Sequence, residues 1–259
     1  MAGMFMLVLS LVLTAVQNAL PSVAQPESFP GRGNKVEYHY HEAPPCTCNC
    51  HCETIENKAD HCEWKRVFKA VQGNGRHVYR DFLTGGAINA EDPRAKDISS
   101  SLPFRDADIL DNWCKLNIRK VQIEVFESGV RKTWLTFNAT LPDMKSWLSR
   151  DTLVASPYAD ITAPPYDKVG YFFSVDGHDI VTRRFFINRN YNGCPADCGY
   201  LAVVDPDGDP EKICPWDNLA EKPFFWYGKL LDKCSRLQTR GEGGIGDRFV
   251  ISVKVCGKN

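Results

Sequence analysis

Residues 168–216 read KVGYFFSVDGHDIVTRRFFINRNYNGCPADCGYLAVVDPDGDPEKICPW, and this stretch indicates the architecture more clearly than any other. Apolar residues occupy every second position from Val169 to Val175, the pattern of a half-buried strand. Asp176-Gly177, a dipeptide preferred in type I′ turns, follows at once, and an apolar run returns through Ile187. The stretch therefore predicts a β-hairpin whose turn lies at Asp176-Gly177.

The same signals recur through residues 113–259, where short apolar or alternating runs are separated by Gly, Pro and Asp. Together they predict an all-β domain, a disulfide-pinned antiparallel β-sandwich or jelly roll. The runs that predict strands beside the hairpin are Val121–Val125, Lys132–Asn138, Arg184–Ile187, Tyr200–Val204, Phe224–Tyr227 and Phe249–Val255.

The N-terminus predicts export. Residues 1–24 contain an apolar run, Met4–Val16, that is too short to span a bilayer, and Ser22-Val23-Ala24 offers small residues at a cleavage site. We therefore expect a signal peptide and a secreted, extracellular chain without a membrane span. The formal net charge of −1 argues against nucleic acid as a partner. Asn138-Ala139-Thr140 is an acceptor sequence for N-glycosylation, which fits export.

Residues 25–59 are polar and rich in Gly, Pro, Cys and His, which predicts a disordered tail. Cysteine occupies every second position from Cys46 to Cys52, so an extended backbone places all these thiols on one face. The chain contains 11 cysteines, an odd number, which favours a disulfide-linked homo-oligomer or a free thiol. The alternative is metal binding, because histidines surround the cysteine ladder: His39, His41, His51 and His61.

Between the tail and the β domain, residues 60–73 predict a short amphipathic helix. Apolar residues at i, i+3, i+4 and i+7 run from Trp64 to Val71, and Gly73 can end the helix. Residues 74–112 are punctuated by Gly, Pro and Ser and are predicted to form a linker.

The spacing of the cysteines does not fix their connectivity. Residues 113–259 hold an even set, within which Cys114 and Cys256 are placed to join the two ends of the predicted domain. The disulfide candidates of the whole chain are Cys46, Cys48, Cys50, Cys52, Cys62, Cys114, Cys194, Cys198, Cys214, Cys234 and Cys256.

The hairpin tip carries the clearest polar constellation, a histidine flanked by two carboxylates. Such a group can act as a general base or bind a metal, but no Ser or Cys nucleophile motif accompanies it. The dense run of Arg, Asn and Tyr that follows suits sugars or acidic polymers, although Asn is also common in turns. The predicted ligand-binding residues are Asp176, His178, Asp179, Arg183, Asn188, Asn190 and Tyr191.

A second acidic motif predicts a calcium site with Asp205, Asp207 and Asp209 as ligands, because a hard cation relieves the repulsion between close carboxylates. The EF-hand pattern fails, since Pro210 and Trp216 stand where Gly and Glu are required. The alternative is a polar turn between two strands.

Several short motifs resemble signatures of a loose group of largely uncharacterised secreted proteins of marine invertebrates, some of them associated with extracellular matrix. They are Ser174–Asp179, Arg184–Asn188, Asn190–Pro195 and Cys214–Trp216. The resemblance covers the C-terminal domain and implies an extracellular role without an established activity. The sequence departs from the group at Cys198, which puts the disulfide pattern in doubt.

These observations predict a secreted glycoprotein that acts as a non-enzymatic, lectin-like binding or structural module in matrix assembly, adhesion or glycan recognition. Its expected partner is an extracellular glycan or a matrix protein. One alternative is a secreted hydrolase that uses His178 with Asp176 or Asp179. The other is a metal-binding matrix protein that uses the cysteine ladder or the Asp205–Asp209 loop.

Overall fold

The computed structural model describes residues 61–139, 143–164 and 171–257, and these form two antiparallel sheets that pack against each other. The all-β sandwich prediction is therefore confirmed. The strands are β1 (Cys62–Val71), β2 (Phe104–Arg105), β3 (Ile118–Glu127), β4 (Val130–Asn138), β5 (Leu153–Ala155), β6 (Phe173–Ser174), β7 (Arg183–Asn190), β8 (Cys198–Val204), β9 (Phe224–Gly228), β10 (Ser235–Arg236), β11 (Gly243–Gly246) and β12 (Arg248–Cys256).

Sheet A has the strand order β2-β1-β12-β3-β4-β5. Sheet B has the order β11-β9-β8-β7-β6, and β10 also pairs with β8. Helical segments are short and lie between strands: α1 (Val78–Thr84), α2 (Ala107–Leu110) and the 3-10 turns Pro93–Lys96, Trp113–Lys115 and Pro215–Asn218.

The core lies between the two sheets and is rich in aromatic rings. Phe249 of sheet A packs against Phe185 and Phe225 of sheet B, with ring centroids 5.0 and 5.7 Å apart. Phe137 meets Phe173 across the same interface at 6.2 Å. All five rings are at most 9% exposed, and burying each one stabilises the fold by about 1.5–3 kcal/mol.

Sheet B also has a buried outer face. Phe186, Val204, Trp216 and Trp226 form a second apolar cluster there, under the chain that follows β7 and β8. The disulfides Cys194–Cys214 and Cys198–Cys234 hold this covering chain. A polar side chain on the outer face of sheet B must therefore find its partners inside the protein.

The helix predicted over residues 60–73 is wrong, because residues 62–71 form strand β1. Its register with β12 runs from Cys62 opposite Cys256 to Val71 opposite Arg248. A β-bulge between Arg66 and Phe68 interrupts the alternation, and every residue from 67 to 71 is buried. Adjacent buried apolar residues at a bulge imitate the i, i+3, i+4 spacing of a helix.

The linker predicted over residues 74–112 is also wrong, and the folded unit begins before residue 113. Val78 and Phe82 of α1, Phe104 of β2 and Leu110 of α2 are all less than 2% exposed and belong to the core. Their spacing follows no single period, because each element lasts only a few residues.

The disulfide proposed between Cys114 and Cys256 is wrong. Cys256 pairs with Cys62, which the sequence placed outside the β domain. The error follows from the helix assignment, because only a strand at 62–71 brings these two positions together.

The hairpin is confirmed, but its turn is displaced. Phe173 pairs with Ile187, and the tight connection lies between His178 and Arg183, whose backbones exchange two hydrogen bonds of 2.8 and 3.1 Å. Gly177 has a φ of 59°, and a Cβ there would lie 1.9 Å from the Arg183 carbonyl oxygen. The glycine thus marks a close backbone approach before the turn.

Several predictions lie outside the described residues: the signal peptide, the tail, the cysteine ladder and the start of the hairpin at Val169. Asn138 is described and exposed at the end of β4. Within 61–139, 143–164 and 171–257, the structure contains no helix long and apolar enough to cross a membrane.

Candidate functional site

Arg183 is the centre of a buried polar network on the outer face of sheet B. Its side chain is 0% exposed, and its Nε and Nη2 donate to Asp217 Oδ1 and Oδ2 at 2.9 and 2.6 Å. The Trp216 ring lies 4.5 Å from the guanidinium. A fully buried, bidentate pair stacked on an aromatic ring holds the covering chain in place and cannot reach a ligand.

Asp197 is a second buried carboxyl in this network. Its Oδ2 lies 3.8 Å from Arg183 Nη1, which is beyond hydrogen-bond distance. Burial raises the pKa of Asp197, the Arg183 guanidinium opposes this, and the neighbouring Asp217 raises the pKa further. The network thus holds more carboxyl groups than cations, and its excess negative charge is costly to bury.

Asp197→Asn is expected to stabilise the protein by about 1 kcal/mol at pH 7, which is about the cost of leaving a buried polar group without a partner. The pKa of Asp197 is raised in the folded state. Such a carboxyl contributes to the free energy of unfolding below its ordinary pKa, and this contribution is lost as the pH rises through the folded-state pKa. The advantage of Asp197→Asn should therefore shrink as the pH falls towards 4. Urea unfolding across this pH range checks it; an advantage independent of pH would contradict the explanation.

Tyr191 links the network to the hairpin loop. Arg183 Nη1 donates to the Tyr191 hydroxyl at 2.6 Å, and that hydroxyl lies 3.1 Å from His178 Nδ1. Burial, and then the Arg183 charge, lower the pKa of His178, which favours a neutral ring that accepts from Tyr191. His178 is thus oriented by Tyr191, and no hydrogen bond of the described residues pairs it with Asp176 or Asp179.

Asp176 and Asp179 instead belong to a network on the other side of the loop. The Tyr79 hydroxyl donates to Asp176 Oδ1 at 2.5 Å, and Lys145 Nζ lies 2.9 Å from the same oxygen. Arg184 stacks on the Tyr79 ring at 4.4 Å, donates to the Asp176 carbonyl at 2.8 Å and pairs with Asp179. The acid–base pairing that the hydrolase alternative needs is therefore not formed.

A cleft of about 320 Å³ opens beside this second network, along α1. The N-terminus of α1 is fixed by Asp205, which is 2% exposed and accepts from the backbone N–H groups of Val78 and Tyr79 at 2.8 and 3.0 Å. Aromatic, cationic and hydroxyl groups line the cleft: His77, Tyr79, Arg80, Leu83, Thr84, Thr182, Arg184 and Asp205.

The predicted calcium ligands do not converge. While Asp205 caps α1, Asp207 Oδ2 lies 3.0 Å from His77 Nε2, and Asp209 pairs with Lys212 at 3.3 Å. In the part of the chain that the structure describes, no group of three His, Cys, Asp or Glu residues could hold a metal ion. The motif is a polar loop, the alternative reading of its sequence.

Two further predicted ligand residues have internal roles. Asn188 is 0% exposed, and its Oδ1 accepts from the Phe172 N–H at 2.6 Å. Asn190 is half-buried, and its Nδ2 donates to the Ala196 carbonyl at 3.4 Å. Asn188 is therefore closed to a ligand, and Asn190 helps to shape the chain that covers sheet B.

Of the predicted site residues, Asp176 and Asp179 lie at the cleft network, whereas His178, Arg183 and Tyr191 lie in the buried network. Sequence reasoning missed Tyr79 and Lys145 as partners of Asp176. The i, i+4 spacing of Val78 and Phe82 is the signal that could have revealed α1, and with it the position of Tyr79.

No protein-family model matches this chain, and no curated protein or solved structure matches it significantly. The resemblance to secreted proteins of marine invertebrates is therefore untested and stays a prediction.

Proposed function

We propose that the protein is a secreted, non-enzymatic binding module that recognises a glycan in the cleft beside α1. The observation that carries the proposal is the Arg184–Tyr79 pair, which lines the cleft with its planar groups 4.4 Å apart. Carbohydrate sites combine a planar group with polar groups for sugar hydroxyls; here the guanidinium stacked on Tyr79 is the planar group, and Thr84 and Thr182 add hydroxyl groups to the cleft.

The Tyr79 side of the cleft is held in place by its neighbours, and this rigidity supports binding. Tyr79 is fixed by Asp176, Asp176 by Lys145, and the backbone of Tyr79 by the buried Asp205. Polar groups held in place before a ligand arrives lose little conformational entropy when it binds. Such groups around an open cleft suit recognition of a small polar ligand.

The extracellular part of the proposal is supported by chemistry that the described residues contain. Three disulfides, Cys62–Cys256, Cys194–Cys214 and Cys198–Cys234, are consistent with an oxidising compartment. Asn138 is exposed where a glycan could be attached. A role in matrix assembly or adhesion, and oligomerisation through the remaining cysteines, belong to the same proposal.

An array of neutral and acidic oligosaccharides, followed by calorimetric titration of retained glycans, tests the cleft. We expect Arg184→Ala to weaken binding at least about tenfold, because it removes the stacked cation and its donors. Arg94→Ala is the matched control, since Arg94 is an exposed arginine with a single local carboxylate partner, Asp92.

Thermal unfolding of both variants verifies that the fold is intact. The proposal fails if the wild type retains no glycan, or if Arg184→Ala binds as tightly as the wild type.

A further inference from the structure

The face of sheet A that is turned away from the core carries a continuous polar row. Trp64 of β1 is paired with Lys254 of β12, Lys254 with Lys120 of β3, and Lys120 with Asn138 of β4. Side chains of directly paired residues lie on the same face of a sheet. We call Trp64, Lys254 and Lys120 the lysine row; adjacent strands about 4.8 Å apart make it about 10 Å long, and Asn138, the candidate glycosylation position, lies at its end.

The neighbouring row has the same polar character. Arg66 is paired with Ser252, Ser252 with Gln122, and Gln122 with Thr136. Gln122 Nε2 donates to Thr136 Oγ1 at 3.2 Å; Thr136 and Ser252 are buried, whereas the Gln122 amide is partly exposed beside the lysine row. The opposite faces of these strands hold the apolar core.

Positive charge accumulates on this outer face, although the whole chain has a formal net charge of −1. Among the outward positions of β1, β12, β3 and β4, as the structure describes them, the carboxylate is Glu124, which pairs with Arg131 at 2.9 Å. The cations at outward positions are Arg66, Lys69, Lys120, Arg131, Lys254 and Arg248.

Three of these cations are directed at backbone carbonyls, which do not neutralise them. Arg66 donates to Lys96 O, Lys69 to Asp97 O and to Ser100 O, and Arg248 to Ser100 O at 2.9 Å. Burial and the neighbouring Arg248 and Arg66 charges lower the pKa of Lys69 to about 8. Burial is the largest cause of this shift, and the Asp97 carboxylate partly opposes the two arginine charges.

The lysine row remains open to solvent. Trp64 is 45% exposed, and Lys120 and Lys254 are partly exposed. No ion pair in the described ranges joins either lysine to a carboxylate. An exposed tryptophan next to lysines without carboxylate partners is a surface available to an anionic ligand.

We propose that the lysine row binds an acidic polysaccharide, with Lys120 and Lys254 contacting its carboxylate or sulfate groups and Trp64 stacking on a sugar ring. Charge complementarity selects an anionic polymer. The exposed Trp64 ring and the partly exposed Gln122 amide favour a sugar chain over other polyanions. The site lies on the opposite sheet from the cleft and does not depend on it.

The test measures the affinity of the full secreted chain for heparin, alginate and neutral dextran by titration calorimetry. We expect both acidic polysaccharides to bind and dextran not to bind, with affinity falling as salt is raised. Lys120→Gln/Lys254→Gln should weaken binding at least about tenfold, and Trp64→Ala should weaken it by about tenfold.

The matched control is Lys229→Gln/Lys233→Gln, which makes the same change in net charge at exposed positions after β9. This control should retain the affinity of the wild type. Equal losses in both double variants would overturn the proposal, because net charge and not the row would then govern binding. It is also overturned if the wild type binds neither acidic polysaccharide, or binds duplex DNA as tightly as heparin.

The two sites can be distinguished. Arg184→Ala should leave heparin affinity unchanged, and Lys120→Gln/Lys254→Gln should leave cleft ligands unaffected. Loss of heparin binding in Arg184→Ala would contradict an independent lysine row, whatever the result at the cleft.

Discussion

Replacing Cys62 and Cys256 together by alanine is expected to lower the free energy of unfolding by about 5 kcal/mol. This disulfide joins residues 194 positions apart, so it removes a large loop-closure entropy from the unfolded chain. Strands β1 and β12 keep their backbone pairing in the variant, and the loss should appear as lower stability of the same fold. Urea unfolding without reductant, combined with circular dichroism, measures it.

The other two disulfides are matched controls, because they close shorter loops. Cys198–Cys234 spans 36 positions and Cys194–Cys214 spans 20. The corresponding double alanine variants are expected to lose about 4 and about 3 kcal/mol. If the three losses do not rank with loop length, local packing around each bond and not chain entropy determines its contribution.

Arg183→Met is expected to destabilise the fold by about 3–5 kcal/mol, because it leaves Asp197 and Asp217 buried without a cation. The methionine retains apolar contact with Trp216, so the loss reports charge more than volume. Without the guanidinium the pKa of Asp197, which burial already raises, should rise further, and the penalty should become smaller as the pH falls. Unfolding measured at pH 7 and pH 5 checks both points.

The triple variant Arg183→Met/Asp197→Asn/Asp217→Asn separates charge from geometry. It removes the unpaired carboxylates and should recover at least about 2 kcal/mol relative to Arg183→Met. Arg183→Lys keeps the charge but loses the bidentate contact, and should fall between wild type and Arg183→Met. A triple variant as unstable as Arg183→Met would show that the guanidinium acts through packing on Trp216.

The sequence was most informative where the chain alternates without interruption. Val121, Ile123 and Val125 form the inward face of β3, and Phe249 to Val255 lies within β12, as their period predicts. The bulge in β1 defeated the same rule, because two adjacent inward residues erase the period of two. A glycine and an aspartate marked the hairpin, but the register fixed the turn four residues further on.

The site was predicted less well than the fold, for a physical reason. Arg183 and Asp217 are 34 positions apart, and Tyr79 and Asp176 are 97 apart. Local composition does not encode such contacts. Polar residues in a dense run resemble a binding rim, yet Arg183 and Asn188 point into a covered layer because both faces of β7 are buried.

The position of β12 between β1 and β3 has a consequence for biogenesis. Strand β1 pairs with a strand that is synthesised much later, since Cys62 is joined to Cys256, which lies 194 positions further along the chain. Sheet A therefore cannot close until residues 248–256 have been synthesised, and pairing at such sequence separation is slow. Until β12 inserts, the edges of β1 and β3 that face it lack a partner, and open strand edges promote aggregation.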